Sequence, residues 1–205
     1  MGRFSQAISE GDGISVIPEL EGEIADLAAL AEEAGAEAVV VSVGDAAAAR
    51  AATSLPIVVD RVGDPREVDA LVQAAVEGCV TVYDLDAGEG ELLDDLYPAV
   101  DVLGIDCAIE VRESDDMAEI LERFDPEIFV AASPRRSDED ELEHVLDLLA
   151  DVPAGKLVVA RPRRPVAREQ IVALERAGVD AVLLSGDSLR IWSDFGAALS
   201  ELTGR

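Results

Sequence analysis

"LPIVVDRVGDPREVDALVQAAVEG", residues 55–78, decides the fold. Its first half, "LPIVVDRV" (55–62), is a short β-branched run of the kind buried on both faces of a sheet, and it ends in a carboxylate, Asp60, and a guanidinium, Arg61. Its second half, "PREVDALVQAAVEG" (65–78), spaces its apolar residues as a helix does. One strand followed by one helix is a single turn of an α/β fold, and the question is how often the chain repeats it.

The unit recurs in both directions. Upstream are "GISVIPEL" (13–20) with "EIADLAALAEEAG" (23–35), then "AEAVVVS" (36–42) with the Ala-rich segment 45–52. Downstream, "CVTVYDL" (79–85) precedes a helix around 90–100, and "GIDCAIEVR" (104–112) precedes "SDDMAEILERF" (114–124). "PEIFVAAS" (126–133) leads to an acidic helix over 138–150, "KLVVARP" (156–162) to "AREQIVALERAG" (167–178), and "VDAVLLSG" (179–186) to "SLRIWSDFGAALSELTG" (188–204). Eight strands each followed by a helix bury every edge by closing into a (β/α)8 barrel. An open doubly wound sheet would leave edge strands, and no dinucleotide-type glycine fingerprint follows the first strand. The expectation is one barrel domain over 1–205, with 1–12 as a short lead-in.

Composition bounds what such a barrel can bind. Asp and Glu total 44 against 16 Lys and Arg, a formal charge of -28. That field repels phosphate backbones and anionic lipid, so nucleic acid and membrane are excluded as partners. A carboxylate-rich surface with Lys156 as the sole lysine is what a halophilic, high-salt setting produces; a GC-rich genome, which favours Arg over Lys, leaves the same bias. The opening "MGRFSQAISEGDG" lacks the apolar segment of a secretory signal, and no apolar run reaches bilayer length, which points to a soluble, cytoplasmic protein. Cys79 and Cys107 are then expected to be reduced, and His144, the single histidine, lies in a helical context away from the other candidates. No histidine pair or cysteine cluster exists to bind zinc, and neither metal nor cofactor is expected.

In a barrel, function gathers at the carboxyl ends of the strands. Those ends supply Glu19 and Glu21, Asp60 and Arg61, Asp84 and Asp86, Glu110 and Arg112, Ser133, Arg135 and Arg136, Arg161, Arg163 and Arg164, and Ser185, Gly186 and Ser188. The first five strands make an acidic sector, the sixth and seventh a basic one. In "LLSGDSLR" (183–190) the amides of Gly186 to Ser188 suit a phosphate, aided by the arginine forks of "ARPRRP"; a plain helix cap by Asp187 or Ser188 explains the same residues. The carboxylates have three readings: an acid or base with a raised pKa, ligands for a hard cation such as Mg, or partners of Arg61 and Arg112.

The residues resemble indole-3-glycerol-phosphate synthase, the tryptophan-biosynthesis lyase that closes a phosphorylated carboxyphenylamino sugar into indole glycerol phosphate. The likeness runs from "SVIPELEG" (15–22) through "LPIVVDRVGDPREV" and "LGIDCAIEVRES" (103–114) to "LERAGVDAVLLSGDSLR" (174–190) and "SDFGAALSELTG". It implies a barrel of the ribulose-phosphate-binding type, Glu19 and Glu110 at the catalytic glutamates with Asp60 in the stretch of the acid lysine, and phosphate binding by Gly186 and Ser188, to which the basic loop adds Arg163 and Arg164. Arg61, Asp84, Arg112 and Arg135 complete the expected mouth.

The resemblance also predicts what is missing. The family's first strand ends in a glutamate followed two residues later by a lysine, and that lysine position is Glu21. Its third strand carries an acid lysine where this chain reads Val59, Asp60, Arg61. The paired asparagines and arginine of the sixth strand are Ala132, Ser133 and Pro134, the Glu-Ser-Gly of the seventh is Pro162, Arg163 and Arg164, and the long N-terminal helical extension has no counterpart. Arg61 stays protonated at ordinary pH and is a poor proton donor. Without a neighbouring cation, Glu19 and Glu110 would push each other toward protonation. The expected function is a diverged barrel that binds or acts on a small phosphorylated metabolite without authentic synthase activity; the alternative is a non-catalytic barrel serving a protein partner.

Overall fold

In a computed structural model, which describes residues 2–10, 13–83, 90–133, 141–185 and 195–203, the strand–helix unit repeats around an eight-stranded, all-parallel sheet. The strands are β1 (Ser15–Pro18), β2 (Val39–Val41), β3 (Ile57–Val59), β4 (Gly78–Val82), β5 (Asp106–Val111), β6 (Ile128–Ala132), β7 (Leu157–Arg161) and β8 (Ala181–Leu184). From β2 to β8 each pairs with the next in chain order, and β1 pairs with β8, Ser15 opposite Ala181. The remaining seam, between β1 and β2, is held by a parallel bridge from Glu19 to Val40 and by the Leu20 N–H donating to the Val40 carbonyl at 2.8 Å.

The helices are α1 (Arg3–Ser9), α2 (Ile24–Glu33), α3 (Ala46–Ala52), α4 (Val68–Gln73), α5 (Gly90–Val102), α6 (Ser114–Arg123), α7 (Glu141–Asp151), α8 (Arg168–Ala177) and α9 (Phe195–Thr203). Each strand is buried on both faces, which is why the runs read as continuous apolar stretches. Alternate residues along each strand separate cleanly: Ile17, Val58, Ala108 and Val159 pack in the barrel interior. Val16, Ile57, Val59, Cys107, Val158 and Ala160 face the helices.

The structure adds to one expectation and corrects two. The lead-in is a helix: Phe4 and Ile8 of α1, one turn apart, pack among the interior residues and plug the amino-terminal end of the barrel. Asp106, opening β5, holds the helix start by accepting the Gly2 N–H at 3.0 Å and the Ser5 N–H at 2.8 Å. A Cβ on Gly78 would sit 3.0 Å from the Phe4 ring, so the first residue of β4 has to be this small for the plug to seat. Secondly, the helix expected over 65–78 is a 3-10 turn (Pro65–Glu67) running into a short α4. Asp64 caps the turn, and the chain leaves α4 through Ala75 at φ 51°, where the Val76 N–H reaches back to the Leu71 carbonyl at 3.1 Å. That is a left-handed helix terminus without the usual glycine. Thirdly, the strands are shorter than their apolar runs, although residues just beyond them, such as Asp60 and Tyr83, still donate to neighbouring strands.

Cys79 and Cys107 are register partners on β4 and β5, both buried and both free thiols. Among the described residues, no helix is long and apolar enough to cross a membrane.

Candidate functional site

The side-chain alternation that fills the barrel continues past its apolar layers. Two residues beyond interior Ile17, Val58, Ala108 and Val159 come Glu19, Asp60, Glu110 and Arg161, one from each odd-numbered strand. Alternate strands contributing four side chains to a layer is how such barrels are filled. Here the topmost layer consists of three carboxylates and one guanidinium.

Arg161 holds the other three. Its Nη1 donates to Asp60 Oδ1 and Glu110 Oε2, both at 2.7 Å, and its Nη2 donates to Asp60 Oδ2 at 2.7 Å and Glu19 Oε2 at 3.3 Å. The Asp60 contact is a two-pronged fork, the strongest geometry available to an arginine–carboxylate pair. Arg112 completes the network from β5's end, donating to Glu110 Oε1 from Nη2 at 2.6 Å and Nε at 3.1 Å. Glu110, with a side chain only 2% exposed, therefore has both oxygens engaged by guanidinium groups. The expectation that Glu19 and Glu110 lack a neighbouring cation is wrong, since Arg161 lies between them.

Burial alone would lower the pKa of Arg161, but its hydrogen bonds to Asp60 and the charges of Asp60, Glu110 and Glu19 outweigh that effect and raise it, so it stays charged. Glu19 is raised above the usual carboxylate range. Burial is the largest cause; Arg161 opposes it, and the charges of Asp60 and Glu21 add to it. Arg61, the residue next to Asp60, adopts φ 54° and points its largely exposed side chain along the rim, its Nε 3.3 Å from Asp60 Oδ2. A left-handed conformation in a bulky side chain is uncommon and is a form of strain that collects at functional sites.

Above this layer lies a cavity of about 300 Å³ whose walls include Arg61, Arg112, Arg161 and Arg163 with Glu19, Glu21 and Glu110. Ser133 shapes its back: the Ser133 hydroxyl accepts the Arg163 N–H at 2.9 Å and lies 3.4 Å from the Arg161 carbonyl oxygen. Ser185, at the end of β8, also lines it. A second depression of about 490 Å³ shares Glu19, Glu21 and Arg61 and adds Ser42, Asp45, Asp60 and Glu67.

The expected residues are thus distributed unevenly. Glu19, Asp60, Glu110, Arg61, Arg112 and Arg163 meet at the mouth. Arg164 does not line it; its Nε is 3.7 Å from Glu141, over a separate cavity of about 170 Å³ between α7 and α8. Gly186, Ser188, Asp84 and Arg135 lie outside the described residues. His144 sits on α7 with its Nε2 2.8 Å from the Arg112 carbonyl oxygen, a contact with the backbone of a mouth residue. Among the described residues, no group of three or more His, Cys, Asp or Glu side chains is arranged to hold a metal ion. Arg161, which the sequence marks only as one of several strand-end arginines, is the centre of the site; the signal that singles it out is its parity with interior Leu157 and Val159.

No protein-family model matches the chain. At the sequence level it is similar to indole-3-glycerol phosphate synthases: 30% identical over 155 residues to that of Bordetella pertussis, 31% over 161 residues to that of Aromatoleum aromaticum, and 29% over 155 residues to that of Rhodopirellula baltica. These alignments take in 75–77% of the chain but only 58–59% of the relatives, so the chain spans under two thirds of the proteins it matches. Among solved structures it superposes on 3-hexulose-6-phosphate synthase from Salmonella typhimurium with a TM-score of 0.73, at 9% identity and covering 93% of this chain and 97% of that one. The aldolase QR15 gives 0.68 at 15% identity, covering 92% of each. At such identities the likeness is one of fold, and it is that of the (β/α)8 barrel.

Proposed function

We propose that the mouth binds a small phosphorylated metabolite, with Arg163, Gly186 and Ser188 as its phosphate-binding residues and Glu19 as the group that moves protons, and that it does not perform the indole glycerol phosphate ring closure. The observation that carries this reading is the sharing of Arg161 by Asp60, Glu110 and Glu19. Two of those carboxylates are neutralised by forked or doubled guanidinium contacts, and they serve best as posts that keep Arg161 central. Glu19 has the weakest contact of the three, at 3.3 Å, and is the one whose proton is held more tightly than usual, which suits acid–base work nearer neutral pH.

Ring closure needs a proton donor beside the substrate, and the third strand offers Asp60 clamped by a guanidinium that does not give up its proton. The similarity to synthases and the barrel fold support a phosphorylated ligand, while the altered positions count against the synthase reaction. The acidic surface suits work in concentrated salt. The test is calorimetry with glycerol phosphate alongside an indole-fluorescence assay with the phosphorylated carboxyphenylamino sugar. Glycerol phosphate should bind, more weakly after Arg163→Ala, and no indole glycerol phosphate should form even in molar salt. Turnover abolished by Glu19→Gln or Glu110→Gln would reverse the second half of the proposal, and absence of anion binding the first.

A further inference from the structure

Arg61 occupies a place that strand alternation does not give it. Val59 faces the helices and Asp60 turns into the polar layer, so the next side chain should face the helices again. Arg61 instead lines both depressions of the mouth, and Val62, only 1% exposed, takes the helix-side position. The backbone bonds show how this comes about. The Ile57 carbonyl accepts the Glu77 N–H just before β4, and the Asp60 N–H donates to Val41 of β2, both at 3.0 Å, so the next N–H due toward β4 is that of Arg61. The bond is made one residue later, from the Val62 N–H to the Val80 carbonyl at 2.9 Å. Arg61 is therefore an extra residue in the strand edge, a bulge at φ 54°, and bulges beside active sites re-aim a side chain. Glycine would adopt this backbone without strain, yet the chain places an arginine there.

The guanidinium delivered in this way is barely engaged. Its one contact with a described residue runs from Nε to Asp60 Oδ2 at 3.3 Å, and both Asp60 oxygens are already held at 2.7 Å in the fork of Arg161. Nη1 and Nη2 of Arg61 make no hydrogen bond to a described residue. Arg112, in the same cavity, commits Nε and Nη2 to Glu110 and keeps Nη1 outside those bonds. Arg163 spends its backbone N–H on Ser133 and Glu141, and among the described residues its guanidinium meets no carboxylate. β3 and β7 stand four places apart in a ring of eight strands, so Arg61 and Arg163 enter the cavity of about 300 Å³ from opposite walls, with Glu19 of the β1 end between them.

Resting on the reading of a phosphate-binding mouth, we propose that Arg61 is the binding residue for a second phosphate, and that the metabolite is a bisphosphate lying across the mouth. One phosphate meets Arg163, the other meets Arg61 and Nη1 of Arg112, and the carbon chain between them passes Glu19. Nη1 and Nη2 of Arg61 with Nη1 of Arg112 give three donor nitrogens, which match the three terminal oxygens of a phosphate and exceed the two oxygens of a carboxylate.

The experiment is calorimetry on the full chain at one fixed ionic strength, with propane-1,3-diyl bisphosphate and its monophosphate counterpart, 3-hydroxypropyl phosphate. The bisphosphate should bind about tenfold more tightly or better, as added charge-assisted hydrogen bonds imply. In Arg61→Gly that ratio should narrow at least threefold while the monophosphate affinity changes less than twofold. Glycine accepts the left-handed backbone, so the melting temperature of this variant should not fall, which separates loss of binding from loss of folding. Arg66→Ala removes the same charge from an exposed position nearby and should leave the ratio unchanged. Equal affinities for the two probes would overturn the second-phosphate inference and leave the phosphate-binding reading intact, whereas failure of both to bind would overturn both. Arg61→Gly weakening the two probes alike, or Arg66→Ala narrowing the ratio as much, would overturn the assignment to Arg61. Binding of 3-(phosphonooxy)propanoate as tight as that of the bisphosphate would overturn the choice of phosphate for the second group.

Discussion

Arg161 is a side chain whose loss would be felt far beyond its own contacts. Breaking a buried ion pair by removing one partner costs about 3–5 kcal/mol, because the charge left behind has neither water nor a counter-ion. Arg161→Ala leaves Asp60 with only the exposed Arg61 and Glu110 with only Arg112, so denaturant unfolding at neutral pH should show a loss near the lower end of that range. Glu19 makes the opposite case. Its folded pKa is raised from 4.5, so the folded state binds its proton more tightly than the unfolded chain, and its contribution to stability is complete below that value and lost as pH rises through the folded pKa. Glu19→Gln removes that loss. The variant should melt above the wild type at pH 7 to 8, with the advantage fading below about pH 4.5 where both proteins carry an uncharged group; a melting-temperature series across pH checks it. Glu19, Asp60 and Glu110 were legible as strand-end carboxylates, but their shared partner was not, because apolar periodicity says where a strand runs and only counting parity from Val159 says that Arg161 points inward.

At the scale of elements, the eight strand–helix units could be read from composition because parallel strands buried on both faces leave unbroken Val, Ile and Ala runs, as in Val39–Val41 and Ile57–Val59. The plug α1 was missed for a physical reason. A seven-residue helix with only two large apolar residues, Phe4 and Ile8, carries little periodicity of its own and is stabilised by what it docks against. Phe4 is 2% exposed, and truncating a buried phenylalanine costs about 3–5 kcal/mol, so Phe4→Ala should destabilise the barrel by about that amount in urea unfolding. Asp106→Ala should cost less, about 1 kcal/mol, as loss of a helix N-cap does. The helix break at Ala75 was equally hidden, since the expected signal for a left-handed terminus is a glycine and the chain places an alanine there.

For the whole molecule, charge dominates. A formal charge of -28 on 205 residues makes the folded chain repel itself, and added salt screens that repulsion over a distance of about 10 Å at 0.1 M and about 3 Å at 1 M. The midpoint of thermal unfolding should therefore climb steadily as potassium chloride rises from tens of millimolar to molar, measured by circular dichroism; a flat or falling midpoint would mean the acidic surface has no such role. The mouth should respond in the other sense, because screening weakens its attraction for a small ion.

The layer centred on Arg161 also says something about how the chain is divided along its length. Cut between β4 and β5, the barrel yields a first half that carries Glu19 and Asp60 without their arginine, and a second half that carries Glu110 with both Arg161 and Arg112. The halves are electrical complements at that level, one in surplus of negative charge and the other of positive, so each is incomplete in a way the other cures. During synthesis the first half leaves the ribosome with two carboxylates facing each other across an unfinished barrel, and the residue that reconciles them is made about a hundred positions after Asp60. The balancing charge arrives with the seventh strand, one strand before β8 closes the ring against β1, so the polar layer can be assembled only when the barrel is nearly complete.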